Sequence, residues 1–336
     1  MAPITRDVLG IGMAVVDSFV RADDAFLDRV GMARGGTTFL DRSAFVDLMG
    51  QARLLGLLAH CPGDNARNMC TAAVALGARA TFLGATGNDE LGGLFEGELR
   101  GAGVEARLER LQGPSGSILA VITPDGERSF ALHMGVADRL QALPEDWPAG
   151  FRYLYATSTT LLEPSATREV VREAIDRAAS LPTGVALSLE NAPFLNTHRE
   201  ELDGLMGGDY ALIMGNEEEM EVAFGGGPFM LGRALQAARV AIIKRGGQGS
   251  TVATRAGDRW DVPACPARLT DTTGAGDFFA GAVLARLCQG ADPASAALAG
   301  SWVAARVVER IGARLPDDFD VAMVPVSWTP PPSSAR

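Results

Sequence analysis

Short apolar runs and longer amphipathic stretches take turns along this chain. Val8–Ile11, Ala80–Leu83, Tyr153–Ala156, Gly184–Leu189, Ala211–Met214 and Val240–Ile243 have the length and composition of buried strands. Between them, Asn65–Leu76, Asp89–Ala102 and Pro164–Ala179 carry helical periodicity, the first two closed by Gly77 and Gly103. Asp277–Gln289 and Ala294–Arg310 are two further long helices. Strand–helix alternation of this kind predicts the α/β class, a doubly wound and mostly parallel sheet covered by helices on both faces.

Two stretches break the alternation. Val15–Phe45 and Leu108–His133 are rich in alternating and turn residues, and Pro124-Asp125-Gly126 separates SILAVIT from ERSFALH as a hairpin turn would. The two pieces, about 15–45 and 108–133, are expected to pair into a small β-sheet lid beside one domain spanning 1–323. The end of the chain, 324–336, is rich in proline and serine and is expected to be disordered. No internal repeat or interdomain linker interrupts the pattern.

Composition narrows the function classes. The 336 residues hold 41 acids against 30 bases, a net charge of −11, so no basic footprint for nucleic acid or an anionic membrane is present. Lys244 is the only lysine, and it lies in IIKRGG rather than in GxxxxGK[ST], which excludes a P-loop. Cys61, Cys70, Cys265 and Cys288 lack metal-ligand spacing and read as reduced thiols of a cytoplasmic protein, and the three histidines are isolated. MAPITRDVLGIG is not built like a secretory signal, and no run reaches the length of a membrane helix. Gly10-Ile11-Gly12 imitates a dinucleotide fingerprint, but Val15 stands where its third glycine belongs.

The densest chemistry lies in Asp271-Thr272-Thr273-Gly274-Ala275-Gly276-Asp277, which runs into the apolar helix FFAGAVLARL. Gly274 and Gly276 let a ligand approach the backbone, and the helix start offers unpaired N–H groups and a positive dipole end. The Gly274, Ala275 and Gly276 amides are expected to cradle a transferring phosphoryl group. Asp277, in the first turn, can accept a proton from an attacking hydroxyl or simply cap the helix.

DTTGAGD also resembles the C-terminal motif of the ribokinase-like carbohydrate kinase family, and the resemblance runs from about Asp7 to Pro316. It implies an ATP-dependent kinase with Asp277 as base. GIGMAVVD is similar to the family's first strand and acceptor-binding aspartate, here Asp17, and PGDNARNMC places Asn68 at the family's asparagine, with Gly63 and Asp64 before it. ALIMGNEEE resembles an N-x-x-E element, which puts Asn216 and Glu219 near Mg2+, through water. KRGGQG resembles a loop near the nucleotide, with Lys244, Gly246 and Gly249, and Thr272 joins the nucleotide set. A monovalent cation such as K+ beside the cradle is implied as well.

Within the family, the opening DVLGIGMAVVDSFVRADDAFLDRVGMARGG, the segment SLENAPF and the closing IGARLP are most similar to adenosine kinases. The expected acceptor is therefore a primary hydroxyl of a nucleoside, adenosine first, or a related ribosyl compound. The alternatives are a sugar kinase of ribokinase or fructokinase type and a catalytically silent nucleoside-binding regulator. The protein is expected to be a monomer, or a homodimer through the lid. One position departs from the family: Asp64 replaces the second of two paired glycines. That change is either a tolerated local substitution or a device that tailors the acceptor. Asn216–Glu219 also reads as a helix start, and Arg128 as either a phosphate contact or a solvated turn residue.

Overall fold

The computed structural model describes residues 4–329. From the N-terminus the strands are β1 (Arg6–Ile11), β2 (Val15–Arg21), β3 (Thr37–Phe39), β4 (Leu57–Pro62), β5 (Ala80–Gly87), β6 (Glu105–Leu111) and β7 (Gly116–Ile122). The chain continues through β8 (Arg128–His133), β9 (Phe151–Thr157), β10 (Gly184–Ser188), β11 (Tyr210–Asn216), β12 (Ala238–Lys244), β13 (Ser250–Thr254) and β14 (Arg259–Val262).

Nine strands form the large sheet in the order β14-β13-β12-β11-β10-β9-β1-β5-β6. It is parallel from β6 to β12, and only β12–β13 and β13–β14 pair antiparallel. Both faces are covered, which is why the central strands are apolar throughout rather than alternating. Val8, Tyr155 and Leu212 pack on one side with helices 65–75, 275–288 and 293–307. Leu9, Leu154 and Ile213 pack on the other with helices 166–178, 217–224 and 230–237. This is the expected doubly wound α/β architecture.

The second sheet, β3-β8-β7-β2-β4, is the lid. The Pro124–Gly126 turn does join β7 to β8 as an antiparallel hairpin, and helices 24–30 and 42–55 close a small core of Phe26, Leu27, Phe45 and Leu48 under the sheet. Two lid boundaries differ from the sequence expectation. The first piece extends past residue 45 to β4, which pairs with β2 in the register Asp17↔Cys61. The second begins at Gly116, because residues 105–111 form β6 of the large sheet. As an edge strand, β6 is wetted on one side, and its EARLERL alternation imitates a lid strand.

The expectation of a disordered end from 324 also needs correction. Val324 is buried, and the Trp328 amide donates to Ser295 Oγ at 2.9 Å while its ring packs on the core. A single well-placed aromatic outweighs the proline and serine around it. Residues 330–336, the rest of that expectation, lie outside the described residues.

The chain order reverses at β1, since β5 and β6 lie on one side of it and β9 to β14 on the other. A crevice opens at such a switch point, beyond the carboxyl ends of the strands. The lid strand β2 leaves the sheet at that place, only three residues after β1 ends.

Candidate active site

A cavity of about 500 Å³ fills the crevice beneath the lid. The lid contributes Val15, Asp17, Thr37, Phe39, Ile118 and Leu132. The strand-end loops and helix starts contribute Met13, Gly63, Asp64, Asn65, Asn68, Thr157, Thr159, Asn191, Phe194, Thr273, Gly274 and Asp277. The lining residues include five carboxylates (Asp17, Asp64, Asp138, Glu163 and Asp277) and no lysine, arginine or histidine.

Asp277 is in the first turn of helix 275–288, whose start carries no capping side chain. Gly274 adopts φ +74°, and a Cβ there would stand 2.4 Å from that of Ala313, so only glycine fits. At Gly276 a Cβ would meet Lys244 Nζ at 2.9 Å, which places the chain's one lysine ammonium against the start of this helix. Ala275 departs from expectation: its N–H is bonded to Thr272 C=O at 3.2 Å, closing the turn before the helix. The Gly274 and Gly276 amides have no such partner among the described residues and are left able to donate.

Burial raises the Asp277 carboxyl well above the ordinary range, against the opposing effects of the Asn68 hydrogen bond and the Lys244 charge. Asn68 Nδ2 donates to Asp277 Oδ2 at 3.0 Å, and Asn68 Oδ1 accepts from Arg67 Nη1 at 3.1 Å. Asn68 is therefore largely engaged by protein partners, with one amide hydrogen left for an acceptor molecule.

Asp17 lies on β2 against Gly63, where a Cβ would meet its Oδ2 at 2.8 Å. Its Oδ1 is buried without a hydrogen-bond partner among the described residues. Desolvation lifts its pKa to about 7, partly offset by the Arg67 charge and reinforced by Asp64.

Asp64 lines the cavity, but both of its carboxylate oxygens are engaged by the chain's own amides. Its Oδ1 accepts the Arg67 amide at 2.9 Å, capping helix 65–75, and its Oδ2 accepts the Met13 amide at 2.8 Å. Burial still holds its pKa up at about 6, with those amides pulling downward. Its backbone keeps φ +88°, the glycine-type conformation that the family motif implies, so the side chain is accommodated at some strain.

Asn216 and Glu219 form a reciprocal capping box: Glu219 N–H donates to Asn216 Oδ1 at 2.8 Å and Asn216 N–H to Glu219 Oε2 at 2.7 Å. Glu219 Oε1 accepts the Asn191 amide at 3.2 Å. With backbone donors on both carboxylate oxygens, this pair fits magnesium held through water better than direct ligation, as suits an ion that keeps its hydration. Lys244 ends β12, and Gly246 and Gly249 form the turn after it. Neither glycine lines the cavity, nor does Thr272; Thr273 does.

Arg128, read from the sequence as either a phosphate contact or a solvated turn residue, has partners that neither reading named, and one further residue, Glu190, was missed altogether. Arg128 on β8 makes a 2.7 Å ion pair with buried Asp271 and a hydrogen bond to Thr273, tying the lid to the loop before the cradle. Glu190 is half-buried with its Oε1 out of reach of solvent, accepts from Thr159 Oγ1 at 2.7 Å, and has its pKa raised by desolvation and by the Asp277 charge. The hydroxyl run Thr157-Ser158-Thr159-Thr160 at the end of β9 was the available signal, since ligands gather at the carboxyl ends of such strands.

Comparison with known proteins decides the lineage. The model of the pfkB family carbohydrate kinases matches residues 58–319. This chain belongs to that family. A Klebsiella pneumoniae fructokinase is 32% identical to this kinase over 259 residues, 73% of this chain and 82% of the relative. A 5-dehydro-2-deoxygluconokinase of Shouchella clausii is 27% identical over 262 residues, 74% of this chain and 80% of the relative. The crystal structure of adenosine kinase from Sinorhizobium meliloti superposes on this kinase with a TM-score of 0.80 at 27% identity, covering 92% of this chain and 95% of that one. The chain is an ATP-dependent kinase of the ribokinase-like fold, and its homologues act on small sugars or nucleosides. No helix among the described residues is long and apolar enough to cross a membrane.

Proposed function

We propose that this kinase phosphorylates the hydroxymethyl group of an uncharged nucleoside, adenosine first. The observation that carries the reading is the two-sided lining of the cavity. Asp17, Asn65, Asn68 and Asp277 supply hydrogen-bonding groups suited to a ribose. Phe39, Phe194, Ile118, Leu132 and Met134 supply apolar and aromatic surface that a free sugar has no use for and a base needs. Phe39 is 61% exposed on the lid edge, where its ring is available to lie against a base. Five carboxylates without a lining cation oppose a nucleotide, a sugar phosphate or a sugar acid.

In this reading, Asp17 Oδ1 takes a ribose hydroxyl as its missing partner and fixes the acceptor. Asp277 receives the hydroxyl proton as the oxygen attacks the γ-phosphorus of ATP. Lys244 and the Gly274 and Gly276 amides stabilise the charge spread over the phosphoryl oxygens, a preorganised term that dominates such transfers. Magnesium, near Asn216 and Glu219, neutralises charge on the ATP phosphates when bound. The Arg128–Asp271 contact holds the lid down and keeps water from the phosphoryl group.

A sugar acceptor is the second reading, favoured by the 32% identity to a fructokinase. Measuring ADP release with adenosine, other nucleosides, ribose and fructose separates the two. Nucleoside turnover with kcat/KM at least about tenfold above every free sugar supports the proposal. The reverse order overturns it in favour of the sugar reading.

A further inference from the structure

Asp277 is oriented by a buried chain that starts at a guanidinium. Arg67 and Asn68 are only 6% and 4% exposed. A guanidinium has donors and no acceptor, so the atom of the Asn68 amide that faces Arg67 Nη1 at 3.1 Å has to be the carbonyl oxygen. The NH2 end is thereby turned onto Asp277 Oδ2 at 3.0 Å. Asn68 Nδ2 also lies 3.4 Å from where a Gly274 Cβ would stand, so the same amide runs beneath the phosphoryl cradle.

We propose that Arg67 is a positioning residue for phosphoryl transfer, fixing the Asn68 amide so that it donates to Asp277 Oδ2 and leaves Oδ1 to receive the acceptor proton. This rests on the reading of Asp277 as the base. Arg67 does not line the cavity and touches no reacting atom; its guanidinium reaches Asp277 by way of Asn68. Without it the amide is free to turn over and set its oxygen against the carboxylate, two acceptors face to face. That arrangement calls for a proton between them, the one state in which Asp277 cannot serve as a base.

The charged surroundings leave this job to Asn68. Arg67 is faced by the carboxyl groups of Glu98, Asp64 and Asp17, which favour its charged form, and by the neutral thiol of Cys61. Asp277 is faced by Asn68, Lys244, Asp64, Glu219 and Glu190. Lys244 supports its ionised form by charge, without setting which oxygen is free.

The test uses full-length Arg67→Met, Arg67→Lys, Asn68→Ala and the Arg67→Met/Asn68→Ala pair, with folding checked by circular dichroism. kcat and KM are measured across pH with whichever acceptor the panel identifies. Arg67→Met is expected to lower kcat about tenfold near neutrality, with acceptor KM changed less than about threefold. The acid limb of its kcat profile moves up by about one pH unit, so part of the loss is recovered in alkali. Arg67→Lys, which keeps a donor, recovers part of kcat, and Arg67→Met adds no further loss in the Asn68→Ala background. An unmoved acid limb, or additive losses in the double variant, overturns the proposal. If Arg67→Met does not fold, Arg67→Lys alone carries the pH test, with a smaller shift in the same direction expected and an unmoved limb again overturning it. Asp277→Asn run alongside separates the two levels: near-normal turnover there removes the base assignment itself, whereas an inactive Asp277→Asn with an unmoved Arg67 profile removes only the role of Arg67.

Discussion

Asp64 and Met13 are joined by one half-buried hydrogen bond, Met13 N–H to Asp64 Oδ2 at 2.8 Å, which ties the loop after β1 to the start of the helix that carries Asn68. The side chain that breaks the family's glycine pair thus works on the protein's own backbone. Asp64→Gly is expected to relax the φ +88° backbone but to lose the cap and the tie. We expect a net destabilisation of about 1 kcal/mol and an unchanged order of acceptors in kcat/KM. Thermal melts and the acceptor panel check both, and a reordered panel would restore the tailoring role.

Asp277→Asn keeps the shape of the side chain and removes its ability to take a proton. We expect kcat to fall about 10²–10⁴-fold while ATP binding, followed by calorimetry, stays near that of the wild type. A proportionate loss of ATP affinity would point to a fault in the cradle instead.

Asp17 carries a pH signature. Its folded pKa of about 7 lies above the ordinary 3.8, so it favours folding fully below about pH 4, and that contribution is lost as pH rises toward 7. Asp17→Asn removes the cost of a buried charge. The variant is expected to melt higher than the wild type at pH 8, by about 2–4 °C for each kcal/mol, with the difference shrinking toward pH 4. The same variant should raise acceptor KM well beyond any change in ATP KM. A melting difference that is constant across pH would contradict the assignment.

Arg128→Ala cuts the lid from the cradle loop and leaves Asp271 buried with Thr273 and the Gly312 amide as donors and no cation. We expect acceptor-independent ATP hydrolysis to rise relative to transfer, because a loose lid admits water. Comparing ADP release with phosphorylated product measures that ratio. Unchanged coupling would leave the ion pair a structural role only.

Phe39→Ala removes aromatic surface from the lid side of the cavity. Nucleoside kcat/KM should fall by about 0.5–1.5 kcal/mol, roughly twofold to tenfold, while any free-sugar activity stays level. Equal losses for both acceptor types would contradict a base seated against this ring.

The sequence by itself determined the layered α/β architecture and the chemistry-bearing loop. Apolar runs such as Val8–Ile11 and Val240–Ile243 suit only strands covered on both faces, and Gly274–Asp277 combines backbone access with a helix start. Those are local properties, legible wherever spacing and residue type suffice. What the tertiary structure decided is whatever depends on partners far along the chain. EARLERL is an edge strand of the large sheet because β5 lies beside it, and Trp328 is ordered because Ser295 and the core receive it. Asp64 accepts the Met13 amide, 51 residues away, and Asn68 meets Asp277 across 209 residues. Orientation of a carboxylate is set by which donors surround it in space, and no spacing along the chain encodes them.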